Sequence, residues 1–378
     1  MSPTPKQFNA TGPCVPEDHY HLPPLTRLPK ILSLVKDGQS FVIHAPHQSG
    51  KTTIIQAARR QINAEGEYYA LICYFYSLPM VTDLDEAMSH MIGLLYGALS
   101  DYDFFGLNPA NIDRFLKENS QDPNFKAAPI KNFLNFLAAS LDKDLVIFFV
   151  EPACLTIPIF ISFLSQLSSG FWARARSNYP FPRSIGLVDM RDIINCQFDI
   201  RPQDRTWGQE NPFDFLTAAL RPANFTLEEV RSLYAQHTAG AGQIFLDEAV
   251  EKAYHWTDGQ PWLVNALAYE AVNEILGRDY GPPITAKIIN EAVNNLLNRR
   301  DVHLDFCRFL LGKPKAQTII RPMLDLKPSP NPPSEGPNNQ SLSHKFKRAY
   351  HFCLDMGLIK GDIRSYQPAN HLYARLIS

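Results

Sequence analysis

The stretch Phe41–Ile55, FVIHAPHQSGKTTII, sets an apolar run against a short polar loop ending in Gly50, Lys51, Thr52 and Thr53. Residues of these types at this spacing suit an anion. A strand that passes through a small-residue loop into a helix gathers backbone N–H groups and the helix N-terminus around a phosphate. Gly50 lets the backbone approach, Lys51 reaches β and γ oxygens, and the Thr52 hydroxyl is the candidate Mg²⁺ ligand. Pro46, His47, Gln48, Ser49 and Thr53 complete the candidate nucleotide-binding loop. Ala45 occupies the position where such loops commonly begin with Gly, and that position needs a small residue above all. The plainer reading is a polar helix start with a solvated Lys51. The apolar "SFVIHA" before the loop and the Ile/Ala-rich segment after it argue against that. No Gly-x-Ser-x-Gly elbow and no Cys/His signature marks a covalent nucleophile, so the chemistry, if there is any, is phosphoryl chemistry. His19, His21, His44 and His47 crowd around the loop in sequence, but no cysteine or carboxylate has metal-site spacing with them.

A phosphate loop needs a scaffold, and the order of segments supplies one. "SFVIHA", "EYYALICYFYS", "KDLVIFFVE" and "RSIGLVDM" read as strands. Between and after them "KTTIIQAARRQINAEG", "DEAMSHMIGLLYGAL", "IKNFLNFLAASL" and the stretch Ile159–Ser168 read as helices. Strands alternating with helices predict an α/β domain, a parallel sheet covered on both faces, over residues 1–205. From Asn211 the pattern changes to successive helices, the first opened by Thr226 with Glu229 three residues on, a pair that satisfies orphan amides at a helix start. A helical domain is expected over 206–300. Beyond it, "KPSPNPPSEGPNNQSLS" reads as a flexible loop. "HKFKRAYHFCLDMGLIKGDIRSYQPAN" then reads as a helix and a small hairpin, the tail of a winged-helix-like domain over 301–378.

The bulk numbers narrow the class of partner. With 378 residues and 45% hydrophobic composition the chain buries an ordinary core. A net charge of −2 argues against a protein that coats nucleic acid with its whole surface. The charge is uneven, however: from Ala286 to Ser378 there are 14 Lys/Arg against 7 Asp/Glu. Six scattered cysteines without Cys-x-x-Cys spacing, and an N-terminus without an apolar signal core, fit a cytoplasmic protein with reduced thiols. Leu145–Leu167 is long enough to suggest a membrane span, but Glu151, Pro152 and Pro158 interrupt it. A buried strand followed by an amphipathic helix, with Phe160, Phe163, Leu164 and Leu167 on one face, explains it better.

Six segments in order, "FNATGPCVPEDHYHLPP", "FVIHAPHQSGKTT", "RSIGLVDMRD", "FTLEEVRSLYAQHT", "GQPWLVNALAYEA" and "NRRDVHLD", resemble the bacterial AAA-like P-loop ATPases, related to the archaeal ATPases and the STAND NTPases. The family's alanine-initial loop matches Ala45. The resemblance implies an ATPase domain with an added strand between the phosphate-loop strand and the acidic strand, then a helical lid and a winged-helix-like end. It implies ATP and Mg²⁺ as ligands. It also implies packing of "GQP" on the nucleotide, which carries over to Gly259 and Pro261, and a base covered by the segment that holds Tyr20 to Leu22.

The chain departs from that family where hydrolysis is decided. Hydrolytic members end the acidic strand with Asp-Glu, the first holding the Mg²⁺ water shell and the second the attacking water. "LVIFFVEPAC" has Val150 in place of the Asp and keeps Glu151, followed by Pro152, which restricts how Glu151 is presented. "GLVDMRDI" keeps Asp189, Arg191 and Asp192 but has Val188 where the family usually has Arg. Glu151 and Arg191, the latter as a γ-phosphate sensor or alternatively an ion-pair partner of Asp189 or Asp192, are the catalytic candidates. Three functions stay open: a slowly hydrolysing ATP-dependent switch, a pseudo-ATPase scaffold for a protein partner or for self-association, and an ATP-dependent DNA-binding factor. The last would use Lys345, Lys347 and Arg348, whose alternative is a solvated basic face.

Overall fold

In the computed structural model, residues 6–78, 80–193, 211–299, 301–325 and 343–377 are described. The expected boundary near Arg205 and residues 327–342 of the Pro/Asn/Ser-rich segment lie outside them. The chain divides into two compact units, one of Leu28–His44 and Ile54–Arg221, the other of Met1–Arg27, Ala45–Thr53 and Pro222–Ser378.

The first unit is built on a parallel sheet. In chain order it contains α1 (Lys30–Lys36), β1 (Ser40–His44), the body of α2 (Lys51–Glu65), β2 (Tyr68–Tyr74) and α3 (Leu84–Ser100). There follow α4 (Pro109–Asn119), α5 (Pro123–Ala127), α6 (Pro129–Ser140), β3 (Asp144–Val150), α7 (Ile157–Ser177), β4 (Ser184–Asp189) and β5 (Leu216–Leu220). The strand order is β2-β3-β4-β1-β5, with every pairing parallel. β4 therefore lies between β1 and β3, the added strand that the family resemblance implied. Apart from Asp144, every residue of β3 is buried, as a central parallel strand with both faces covered requires. The apolar Leu145–Leu167 stretch resolves into β3, a short 3₁₀ turn and α7. Phe160, Phe163, Leu164 and Leu167 of α7 are all buried, Phe163 edge-on to Phe75 and Phe149. No helix among the described residues is long and apolar enough to cross a membrane.

Two features of this unit differ from the sequence reading. β5 pairs with β1 from a stretch expected to begin a run of helices, so the sheet continues past residue 211. Its sequence, LTAAL, is short and alternates buried ends with an exposed middle, too faint a pattern to announce a strand. The region after α3, expected to be a loop, carries α4 and α5. Each opens on an Asx cap followed by Pro: Asn108 caps Ala110, and Asp122 caps Asn124.

The second unit is helical, with α8 (Leu227–Ala241), α9 (Asp247–Thr257), α10 (Pro261–Tyr269), α11 (Ala286–Asn298), α12 (Val302–Leu311) and α13 (Pro314–Asp325). It ends with α14 (His344–Asp355), an antiparallel hairpin of β6 (Ile359–Asp362) and β7 (Ser365–Pro368), and α15 (His371–Ile377). The Thr226/Glu229 capping box forms at the start of α8. "NRRD" has a structural reading: Arg299 pairs with buried Glu270 at 2.6 Å, and Asp301 caps α12 through the amides of His303 and Leu304. The N-terminal segment belongs to this unit, with Phe8 and Tyr20 buried against Tyr234 and His237.

Candidate functional site

The site residues fall into two groups, one in each unit. In the sheet unit, parallel pairing sets the carboxyl ends of β1, β4 and β3 in register, with His44 opposite Asp189 and Val150 opposite Val188. This is the edge at which open α/β sheets take ligands. Val150 is 3% exposed and belongs to the packed interior of the sheet. Glu151 leaves the strand in the left-handed region, φ 61°, with its amide donating to Val188 O at 2.7 Å. A left-handed residue directly before a proline is doubly disfavoured, so the turn that presents Glu151 stores strain. Asp189 is buried and holds backbone: one oxygen accepts from Ala153 N at 2.9 Å, the other from Met190 N at 2.7 Å and Arg191 N at 3.2 Å. Its carboxylate thus ties the turn after β3 to the turn after β4. Burial, and after it the charges of Asp189 and Glu151, push the Cys154 thiol up to about 11, so Cys154 stays protonated.

In the helical unit, the loop Ala45–Thr53 has left-handed backbone at Gln48, φ 62°, and Gly50, φ 86°, on either side of Ser49. Alternation of this kind turns successive amides to one side. The Lys51 ammonium lies 2.6 Å from Ala45 O and 2.9 Å from Pro46 O, donating to both. Thr52 lies in the first turn of α2, and the Thr53 hydroxyl accepts from Cys14 N at 3.3 Å. The Ser49 hydroxyl is buried and has no partner among the described residues. Pro261 is buried at the first position of α10, and the preceding Gln260 caps Leu263 N at 2.6 Å while its amide group reaches Gln48 O at 3.4 Å. Gly259 is held at φ 69°, and a Cβ there would lie 1.8 Å from Phe225 O, so no other residue fits. Tyr20, expected near a bound base, is a buried packing residue whose hydroxyl faces His237 Nδ1 at 3.3 Å.

Sequence reasoning missed three groups around this loop. Arg27, 8% exposed, donates to Ser49 O at 3.0 Å and to Ala223 O at 2.7 Å, with its guanidinium over the Phe225 ring. Burial pushes it down to about 10, and it remains a cation at neutral pH. His303 stacks on His47, with Nδ1 atoms 3.4 Å apart, and its Nε2 lies 2.6 Å from the Tyr373 hydroxyl. Gly357, between α14 and β6, runs so close to Pro46 that a Cβ there would lie 2.4 Å from the proline ring. Arg27 stands near "HYHLPPL" and His303 within "NRRDVHLD", both motifs already singled out, but only long-range contacts reveal what these side chains touch.

Among solved structures, the chain is similar to a Walker-type ATPase of Pyrococcus abyssi, with a TM-score of 0.60 at 11% identity over 98% of this chain and 99% of that one. It is also similar to the ORC2 protein of Aeropyrum pernix, solved in ADPNP–ADP complexes, with a TM-score of 0.49 at 14% identity over 94% and 90% of the two chains. RuvB of Thermotoga maritima, a Holliday junction branch migration motor, matches with a TM-score of 0.42 at 11% identity over 93% and 92%. No protein-family model matches the chain, and no curated protein matches it in sequence. The first likeness, together with the strand order, identifies the fold as that of the P-loop ATPases.

The His303 environment has a measurable signature. Burial, and secondarily the neighbouring His47, lower its pKa from 6.5 to about 3. The unfolded chain therefore binds a proton between those values that the folded chain does not, so this contribution to stability is full above about 6.5 and lost as pH falls toward 3. In urea denaturation across that range, His303→Gln should show a shallower loss of stability than the wild type. Parallel curves would contradict a buried neutral imidazole.

Proposed function

We propose that this chain binds an adenine nucleotide with Mg²⁺ through Pro46–Thr53, turns it over slowly, and acts as a nucleotide-dependent switch. The observation that carries the reading is the loop itself. It enters from β1 and leaves into α2, its backbone is left-handed at Gln48 and Gly50, and it holds an orphan buried hydroxyl at Ser49. A buried donor without a partner costs about 1–3 kcal/mol, which an incoming phosphate oxygen would relieve. Lys51 would transfer its donors from the loop carbonyls to phosphate oxygens, and the backbone amides of the loop would supply the rest of the cradle. Thr52 would contribute a hydroxyl to Mg²⁺, which when bound neutralises charge between the β and γ phosphates.

Slow turnover follows from the strand ends. Val150 cannot coordinate a hard cation, and Asp189 is already engaged by three backbone amides. Glu151 and Arg191 remain the proposed catalytic groups, the former to orient water and the latter to sense the γ-phosphate. The strained left-handed turn at Glu151 supports a second reading, a non-hydrolysing scaffold for a protein partner or for self-association. The same proposal includes kinship with the bacterial AAA-like and STAND ATPases, a lid over 206–300 in which Pro261 packs on the nucleotide, and a winged-helix-like end over 301–378. The order α14, β6–β7 hairpin, α15 supports that last assignment, and Lys345, Lys347 and Arg348 would be its DNA-facing residues.

Lys51→Ala removes a charge-assisted contact worth about 1.5–3 kcal/mol, so calorimetry should show ATP affinity lowered by about tenfold or more. Equal affinities would place the site elsewhere. Val150→Asp should raise turnover and leave metal-free nucleotide affinity nearly unchanged, while thermal melting falls because the new charge is buried beside Glu151. A well-folded Val150→Asp protein that stays inactive would favour the scaffold reading.

A further inference from the structure

Because a trans peptide is planar, its carbonyl and the following amide point in opposite directions. Any group that fixes a carbonyl on one side of a loop therefore fixes the next amide on the other. In Ala45–Thr53 four carbonyls are held by side-chain donors: Ala45 and Pro46 by Lys51, Gln48 by Gln260 and Ser49 by Arg27. The amides of Ser49 and Gly50 follow the two carbonyls held from outside the loop. Lys51 is the donor that a phosphate would recruit, whereas Gln260 and Arg27 are anchored independently of it. Gln260 caps α10 through Leu263 N at 2.6 Å. Arg27 is fixed by Ala223 O at 2.7 Å and by the Phe225 ring, 5.0 Å from its guanidinium carbon. Phe225 is in turn bonded to Gly259, its amide donating to Gly259 O at 2.8 Å, so both anchors meet in one short stretch.

We propose that Arg27 and Gln260 are positioning residues for polyphosphate: by holding the carbonyls of Ser49 and Gln48, they aim the Gly50 and Ser49 amides at a diphosphate group. This rests on the nucleotide-binding reading above and adds to it the residues that prepare the loop before the ligand arrives. The burial of Arg27 supports it. A cation that is 8% exposed, held by carbonyls and an aromatic face and stabilised by the charge of Glu229, fixes the shape of the loop from a buried position. The buried, unpartnered Ser49 hydroxyl lies in the peptide segment that the two residues hold from either end.

The test uses the full chain and calorimetric titration with ADP, pyrophosphate and adenosine. Arg27→Met keeps an unbranched side chain over Phe225 and loses the donors. Gln260→Ser keeps a capping oxygen for α10 but is too short to reach Gln48. Each should weaken ADP and pyrophosphate by about tenfold, the loss expected when a loop must be ordered by the ligand instead of beforehand. Adenosine affinity should stay at the wild-type value, and Arg27→Lys, which keeps the charge but not the fork, should fall between the wild type and Arg27→Met. Losses that are equal for adenosine and ADP would mean a merely structural role. Wild-type affinity for ADP in Gln260→Ser would likewise overturn the inference, and this variant decides the matter if Arg27→Met fails to fold. A wild type that binds neither ADP nor pyrophosphate would overturn the nucleotide reading itself, whereas a wild type that binds both, with variants at par, overturns this inference alone.

Discussion

A loop that offers its amides to an anion must find partners for its carbonyls, since the two face opposite ways in every peptide. The short connection between β1 and α2 contains too few side chains to do this alone. One donor, Lys51, comes from the first residue of α2 and closes back on Ala45 and Pro46. The others come from far along the chain, Arg27 from ahead of the first strand and Gln260 from the start of α10. The loop accordingly belongs to the helical unit, which takes in Met1–Arg27 and Ala45–Thr53 along with Pro222–Ser378. The same anchoring gives Gly259 a physical reason: only a residue without Cβ lets the turn before Gln260 pass against Phe225 O.

The sheet unit places a different limit on function. Parallel order β2-β3-β4-β1-β5 sets the ends of β3 and β4 side by side, where a metal-holding carboxylate and a water-orienting one would be wanted. One position is Val150, packed in the sheet, and the next is Glu151 in a strained turn. Asp189 looks in sequence like a replacement carboxylate, but its two oxygens accept from Ala153, Met190 and Arg191 amides. Moving it to a metal would release two turns at once. On the proposed reading, this is the balance of groups that would make the chain hold a nucleotide rather than cleave it.

The phosphate loop, four of the five sheet strands and the main helices were legible because each carries a local signal: apolar runs bounded by turns, a capping box, a Gly stop after Glu65. β5 was not, because LTAAL gains its place from pairing with β1 and not from its own pattern. α4 and α5 went unread because their Asx-Pro starts head short and mostly exposed helices. In the candidate site, Gly50, Lys51 and Thr52 announce themselves by spacing. Arg27 and His303 do not, since their partners Ala223 and His47 stand 196 and 256 residues away, and no periodicity within a segment encodes such a contact.

The most direct test measures ATP affinity and steady-state turnover on one wild-type sample with saturating Mg²⁺. The expected result is clear binding with turnover far below the usual enzyme range of about 1 s⁻¹. Turnover at or above about 1 s⁻¹ would contradict it, because Val150 would then be no obstacle and another carboxylate would have to hold the metal.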